Sequence, residues 1–254
     1  MSGAGGRSFK LSGKRLELLQ AMRREHGMEP ARAGRIARRP PAAAYPLSFA
    51  QQRLWFLDRL MPGSAAYNMP LAIRLTGALD AAALAAAFAG LARRHAVLRA
   101  VFELVDGEPV QRVSPPSPSP PAALPLIDGA ALPPAVRDAW ALRHAAQMAR
   151  RPFDLARGPL LRVELLRLGA EVHVVLVCLH HTVSDGWSLE ILRREIAVLY
   201  AQAAVRGASP ADLPELPIQY TDFAAWQREW ALSGELDAQL AWWREQLEGA
   251  PTVL

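Results

Sequence analysis

The chain has few of the features that stabilise a protein from outside its own core. It holds a single cysteine, Cys178, so no internal disulfide can form and the lone thiol reads as a reduced core residue. No apolar run approaches the roughly 20 residues that a membrane-spanning helix needs, so no membrane is expected as a partner. The opening residues, Met1-Ser2-Gly3-Ala4-Gly5-Gly6-Arg7, lack the apolar segment of a secretory signal. Together with the thiol this predicts a cytoplasmic location. No internal repeat is present. His and Cys do not cluster beyond one His-His pair, which argues against a metal site. Ser184 lacks the small-x-Ser-x-Gly elbow of a serine nucleophile.

What charge there is leans positive: the net charge is +5 and the sequence pI about 10.0. Arg32, Arg35, Arg38 and Arg39 cluster in one proline-bounded segment near the start, and elsewhere acids and bases mix. No aromatic-plus-basic strand motif for RNA accompanies them, so nucleic acid is not expected as a partner. At 51% hydrophobic and 21% charged residues, the chain can build a sizeable core.

Periodicity orders the chain. Residues 1–10 read as disordered, Leu11 to about His26 as a short amphipathic helix, and Glu29 to Ala44 as a basic Pro/Ala-rich linker. Ser48 is placed to cap a helix through Gln51, Leu54, Trp55 and Leu57, stopped by Met61-Pro62-Gly63. A strand is predicted near Leu71–Leu75, and an alanine-rich helix capped by Asp80. A further strand is predicted over Leu98–Glu103, with Asp106-Gly107 as a hairpin turn before Pro109–Val113. Ser114 to Pro121, with five prolines in eight residues, is a surface loop, and Ala135 to Arg150 a helix. Leu161–Leu168 and Val172–His180 read as an antiparallel hairpin. A helix follows from about Ser188 to Ala204, then a proline-bearing loop over Ser209–Pro217. Two helices close the chain, about Tyr220–Trp230 and Leu236–Leu247. The expected fold is α/β: a two-layer sandwich of a mixed sheet with helices.

The densest chemistry is His180-His181-Thr182-Val183-Ser184-Asp185-Gly186, at the end of the apolar run Val172–Leu179 and just before a helix. Consecutive strand residues face opposite sides. One histidine should therefore face a site while the other locks the strand into the body, with Gly186 permitting the bend.

Several segments together resemble the condensation domains of non-ribosomal peptide synthetases. Ser48-Phe49-Ala50-Gln51-Gln52-Arg53-Leu54-Trp55 is similar to the opening motif of that family. Arg94-His95-Ala96-Val97-Leu98-Arg99-Ala100-Val101-Phe102 resembles a second motif, and His180–Gly186 with Trp187-Ser188 the active-site motif. Tyr220-Thr221-Asp222-Phe223-Ala224-Ala225-Trp226 resembles a fourth, in the right order. The resemblance implies the N-terminal lobe of a fold of two lobes like chloramphenicol acetyltransferase, with an active-site tunnel between them. It assigns residues 45–254 to that lobe plus the start of the crossover, leaving the C-terminal lobe missing. Residues 1–44 become a candidate docking segment.

By the same resemblance the activity is amide formation between thioesters held on carrier proteins, an acceptor amine attacking a donor carbonyl. No cofactor is bound directly, and substrates arrive on phosphopantetheine. The implied partners are donor and acceptor peptidyl carrier proteins and adjacent synthetase modules. The candidate catalytic residues are His181, His180, Asp185 and Gly186. His181 is the one implied to face the tunnel, as general base or as a positioner of the amine, and strand alternation turns His180 away. Asp185 is read either as an ion-pair partner of Arg53 or as the cap of the following helix. Asp185-Gly186-Trp187-Ser188 favours condensation over epimerisation, and His180 over cyclisation, whose motif carries Asp there. Trp226, Trp242 and Trp243 are expected to pack helices, and no chemical role falls to Tyr220 or Asp222. Two other readings stay open: a stand-alone acyltransferase using CoA or carrier thioesters, and a non-catalytic lobe that binds carrier proteins.

Overall fold

The computed structural model describes residues 36–116, 124–204 and 213–251. The predicted N-terminal helix, the first part of the basic linker (residues 29–35) and parts of both proline loops lie outside the described residues. The chain divides into two units, one over residues 37–229 and the other comprising residues 1–36 with 230–254.

In the larger unit two helices begin where a side chain satisfies a free N–H group, and a third opens on proline. Ser48 caps α1 (Phe49–Leu60) in a capping box: its Oγ accepts from the Gln51 N–H, and the Gln51 side chain accepts from the Ser48 N–H, both at 3.1 Å. Asp80 caps α2 (Ala81–Arg94) through the Ala83 N–H at 2.9 Å. α3 (Pro134–Arg150) carries proline in its first turn, where no N–H is needed. α4 (Gly186–Ala204) and α5 (Tyr220–Leu232) follow.

The strands divide between two sheets. One holds β1 (Tyr45–Pro46), β3 (Ala100–Val105) and β4 (Glu108–Val113) in the order β1-β4-β3. Its hairpin turns at Asp106 and Gly107, both at positive φ (52° and 84°), as the two-residue loop requires. The other sheet runs β2-β7-β6-β5, from β2 (Asn68–Thr76), β5 (Leu126–Asp128), β6 (Leu161–Arg167) and β7 (Val172–His180). All its pairs are antiparallel except β5 with β6.

β7 lies between β2 and β6, and every residue from His173 to His180 is buried. That explains its unbroken apolar sequence, since alternation belongs to strands with one wet face. Asn68 and Arg74 of β2 meet α3, the amide of Asn68 donating to the Ala149 carbonyl at 2.7 Å and Arg74 pairing with Asp138. α2 and α4 approach closely at Gly90, where an added Cβ would stand 3.3 Å from Leu199.

Three expectations change. Leu98 and Arg99 lie in a 3₁₀ turn (Ala96–Arg99), and the strand opens only at Ala100. The chain leaves α2 at His95, and Leu98 N–H closes back on the His95 carbonyl, so Leu98 is buried from a turn. β1 and β5 were not anticipated, because two and three residues are too short to show a period. Gly186 does not adopt a left-handed backbone: it is the first residue of α4, and the turn needs no glycine there.

In the other unit, α6 (Glu235–Gln246) has no buried residue. Trp242 and Trp243, expected to pack helices, instead stand exposed, edge to face with each other at 4.8 Å.

Candidate active site

The site grows from the end of β7. The N–H of His180 donates to the Leu160 carbonyl (3.1 Å) and that of His181 to the Tyr67 carbonyl (2.9 Å), so the backbone stays clamped up to the motif. The chain then turns, Val183 N–H closing on the His180 carbonyl at 3.1 Å, and enters α4. The two histidines part as strand alternation requires.

His180 is 2% exposed, with the rings of Phe153 and Tyr67 edge-on at 6.0 and 6.4 Å. Its Nδ1 accepts from the Thr182 N–H at 3.2 Å and lies 2.9 Å from the Thr182 hydroxyl. Burial, reinforced by His181 alongside, pushes its pKa down to about 4. His180 is therefore a neutral packing residue.

His181 is exposed, with its Nδ1 2.7 Å from the Ser184 carbonyl. A carbonyl can only accept, so the Nδ1 must carry the proton. In the neutral ring this leaves the Nε2 lone pair bare and able to take a proton. The arrangement suits a group that accepts a proton from an attacking amine.

Asp185 turns away from that role. Its Oδ1 accepts from the Ser188 N–H (2.7 Å) and the Ser188 hydroxyl (2.6 Å), and its carbonyl accepts from Leu189, which makes it the N-cap of α4. The Ser188 hydroxyl and N–H hold the Asp185 carboxyl below its ordinary pKa. The expected pair with Arg53 does not form: among the described residues no ion pair joins the two, and Arg53 lies exposed on α1. The cap already satisfies the carboxylate. Gly186 stands in open space, where a built Cβ meets nothing within 4 Å, and Trp187 beside it is 80% exposed.

The other motifs support this turn. The Tyr220 hydroxyl lies 2.9 Å from Ser48 Oγ, and burial raises the phenol above its usual pKa. Asp222 accepts from the Gln219 N–H at 2.7 Å and the Arg39 N–H at 3.0 Å, so it caps α5 and clasps the incoming chain. Phe223 and Trp226 pack ring on ring at 5.9 Å. Arg94 and His95 both bind Glu195 of α4, at 3.1 and 2.6 Å. Sequence reasoning missed Glu195; a lone acid among Leu192, Ile196 and Leu199 was the available signal.

Two cavities of about 390 and 760 Å³ are lined by other residues, and neither takes in His181, which lies on an open face. Among the described residues no group of three His, Cys, Asp or Glu stands ready for a metal, and no helix is long and apolar enough to cross a membrane.

Comparison with known proteins identifies relatives of the chain. A component of the linear gramicidin synthase of Brevibacillus parabrevis is 46% identical over 209 residues, which are 82% of this chain and 3% of that protein. Phosphinothricin tripeptide synthetase PhsC of Streptomyces viridochromogenes is 46% identical over 229 residues, 90% of this chain and 20% of that protein. The chain thus spans a small fraction of these relatives. Among solved structures, the X-domain from teicoplanin biosynthesis superposes with a TM-score of 0.72 at 28% identity, over 85% of this chain and 46% of that one. The starter condensation domain of rhizomide synthetase RzmA also gives 0.72, at 23% identity, over 83% and 49%. The model of the condensation-domain family matches residues 42–254, and the chain belongs to that family.

Proposed function

We propose that this chain carries the histidine-bearing half of a domain that joins two carrier-bound acyl groups through an amide bond in peptide natural-product synthesis. The observation that carries this reading is the bond from His181 Nδ1 to the Ser184 carbonyl, which leaves Nε2 bare on an exposed edge. The acceptor amine attacks the donor thioester carbonyl, the new C–N bond forms, and the C–S bond breaks. His181 Nε2 takes the proton that the amine loses and returns one to the departing thiolate. The substrates ride on phosphopantetheine arms of donor and acceptor carrier proteins, within or beside adjacent synthetase modules. The buried free thiol of Cys178 fits a reducing, cytoplasmic setting.

The test is intact-mass analysis of loaded donor and acceptor carriers, using the full protein to which this chain belongs. Amide product should appear with the unaltered protein and fall by roughly 100-fold or more in His181→Ala, the usual range for a lost acid–base group. Product formed equally well by His181→Ala removes the catalytic assignment. Carrier binding without product from the unaltered protein favours a binding lobe.

A further inference from the structure

Beneath the His181 turn lies a pair of amides that no motif chemistry explains. Gln51 is 1% exposed and Gln111, on β4 of the other sheet, is fully buried. Their orientations follow from neighbours that have only one hydrogen-bonding role. The Ser48 N–H can only donate, so Gln51 turns Oε1 toward it at 3.1 Å. The Pro46 carbonyl can only accept, so Gln111 turns Nε2 toward it at 2.9 Å. With those ends fixed, the two amides meet donor to acceptor twice, at 3.3 and 3.2 Å. Gln51 Nε2 keeps one further hydrogen, and it is given to the Thr182 carbonyl at 3.4 Å.

That last bond reaches the motif. The Thr182 carbonyl and the Val183 N–H belong to one planar peptide unit. Holding the carbonyl therefore aims the N–H at the His180 carbonyl, closing the turn at 3.1 Å. The same turn carries the Ser184 carbonyl to His181 Nδ1. If the 182–183 peptide rotates, the turn opens, the Ser184 carbonyl swings away, and the imidazole is free to exchange its proton between nitrogens.

We propose that Gln51, aligned by Gln111, is a positioning residue that sets the tautomer and direction of the His181 ring through the Thr182 carbonyl. The inference rests on His181 being the reacting group. Both glutamines are buried away from solvent. Gln51 belongs to the opening motif, whereas Gln111 lies in none, so the pair ties a motif residue to a strand that sequence patterns leave unmarked.

Two-bond ¹H–¹⁵N correlation on the histidine-labelled chain tests it, because the two ring nitrogens report directly which of them is protonated. At alkaline pH the unaltered chain should show His181 with a protonated Nδ1 and a bare Nε2. In Gln51→Met the two His181 nitrogens should move together toward an averaged pair, while His144 and His173 stay put as reporters of the fold. Gln111→Met keeps both backbone partners of Gln51 but frees its amide to rotate, so it should shift His181 in the same direction by less. It also serves if Gln51→Met fails to fold. An unchanged His181 pattern in either folded variant overturns the positioning role. In the full protein, Gln51→Met should lower kcat roughly tenfold with KM nearly unchanged, as expected for a misdirected rather than missing group. An unaltered protein that makes no amide would count against the condensation reading alone, since the nitrogen pattern decides the positioning role by itself.

Discussion

Glu195 Oε2 lies 2.6 Å from His95 Nε2, and its other oxygen lies 3.1 Å from Arg94 Nε, so one carboxylate of α4 grips both leading residues of the second motif. The three side chains are 10–17% exposed, which makes this the most protected ion-pair cluster among the described residues. Arg94 also donates to the Pro214 carbonyl at 2.7 Å. Removing Glu195 leaves the Arg94 guanidinium enclosed without its carboxylate. Glu195→Ala should therefore cost about 3 kcal/mol in urea denaturation, the lower end for a broken buried pair. Glu190→Ala, which breaks only the exposed pairs with Arg193 and Arg194, should leave the urea midpoint nearly unchanged.

Asp185 should behave as a cap. Asp185→Ala is expected to cost about 1 kcal/mol, and Asp185→Asn or Asp185→Ser considerably less, because either can still accept from the Ser188 N–H. A double-mutant cycle with Arg53→Ala should give a coupling near zero. Coupling of several kcal/mol would show that the two residues pair after all.

Stability should fall in mild acid for a reason located at His180. Its folded pKa is about 4, below the ordinary 6.5, so the unfolded chain binds a proton more readily than the folded one. This stabilisation is complete above about pH 6.5 and is lost as pH drops toward 4. The loss amounts to about 3 kcal/mol at most. His173, also depressed by burial, adds in the same sense. Denaturation midpoints measured from pH 7 to 4 should decline more steeply in the unaltered chain than in His180→Gln, which has no proton to gain.

Gly186 offers a different kind of test. Its backbone is helical and its missing Cβ would enter empty space, so Gly186→Ala should leave the stability of this chain within about 0.5 kcal/mol. If the same change cuts amide formation in the full protein, the space above Gly186 is occupied during the reaction by something other than this chain.

Ser48 and Tyr220 should be coupled. Ser48→Ala removes both the α1 cap and the partner of the Tyr220 hydroxyl, and should cost about 1–2 kcal/mol. Tyr220→Phe should cost about 1 kcal/mol. The two together should fall short of the sum by about 0.5–1 kcal/mol, because they share one hydrogen bond.

The features legible in the sequence were those that local chemistry dictates. Ser48 and Asp80 announced their helices, Asp106-Gly107 its hairpin, and the unbroken run into His180 a strand buried on both faces. The divergence of His180 and His181 followed from strand alternation alone. The relations that could not be read join residues far apart in the chain: Gln51 with Gln111, Ser48 with Tyr220, Arg94 with Glu195. A glutamine in a strand or an acid on a helix face carries no mark of its partner. The Arg53–Asp185 pair failed for a related reason. A carboxylate at a helix start has a local partner three residues away, and that partner took it.

The placement of His181 also bears on how the reacting parts divide their labour. It is mounted one residue beyond the strand with neighbours on both sides, its N–H bonded to Tyr67 and its ring to Ser184. Such a mounting is stiff: the imidazole works as an anvil rather than an arm. On the proposed reading, the travel that brings amine and thioester together falls to the flexible tethers that deliver them, and the histidine need only hold still.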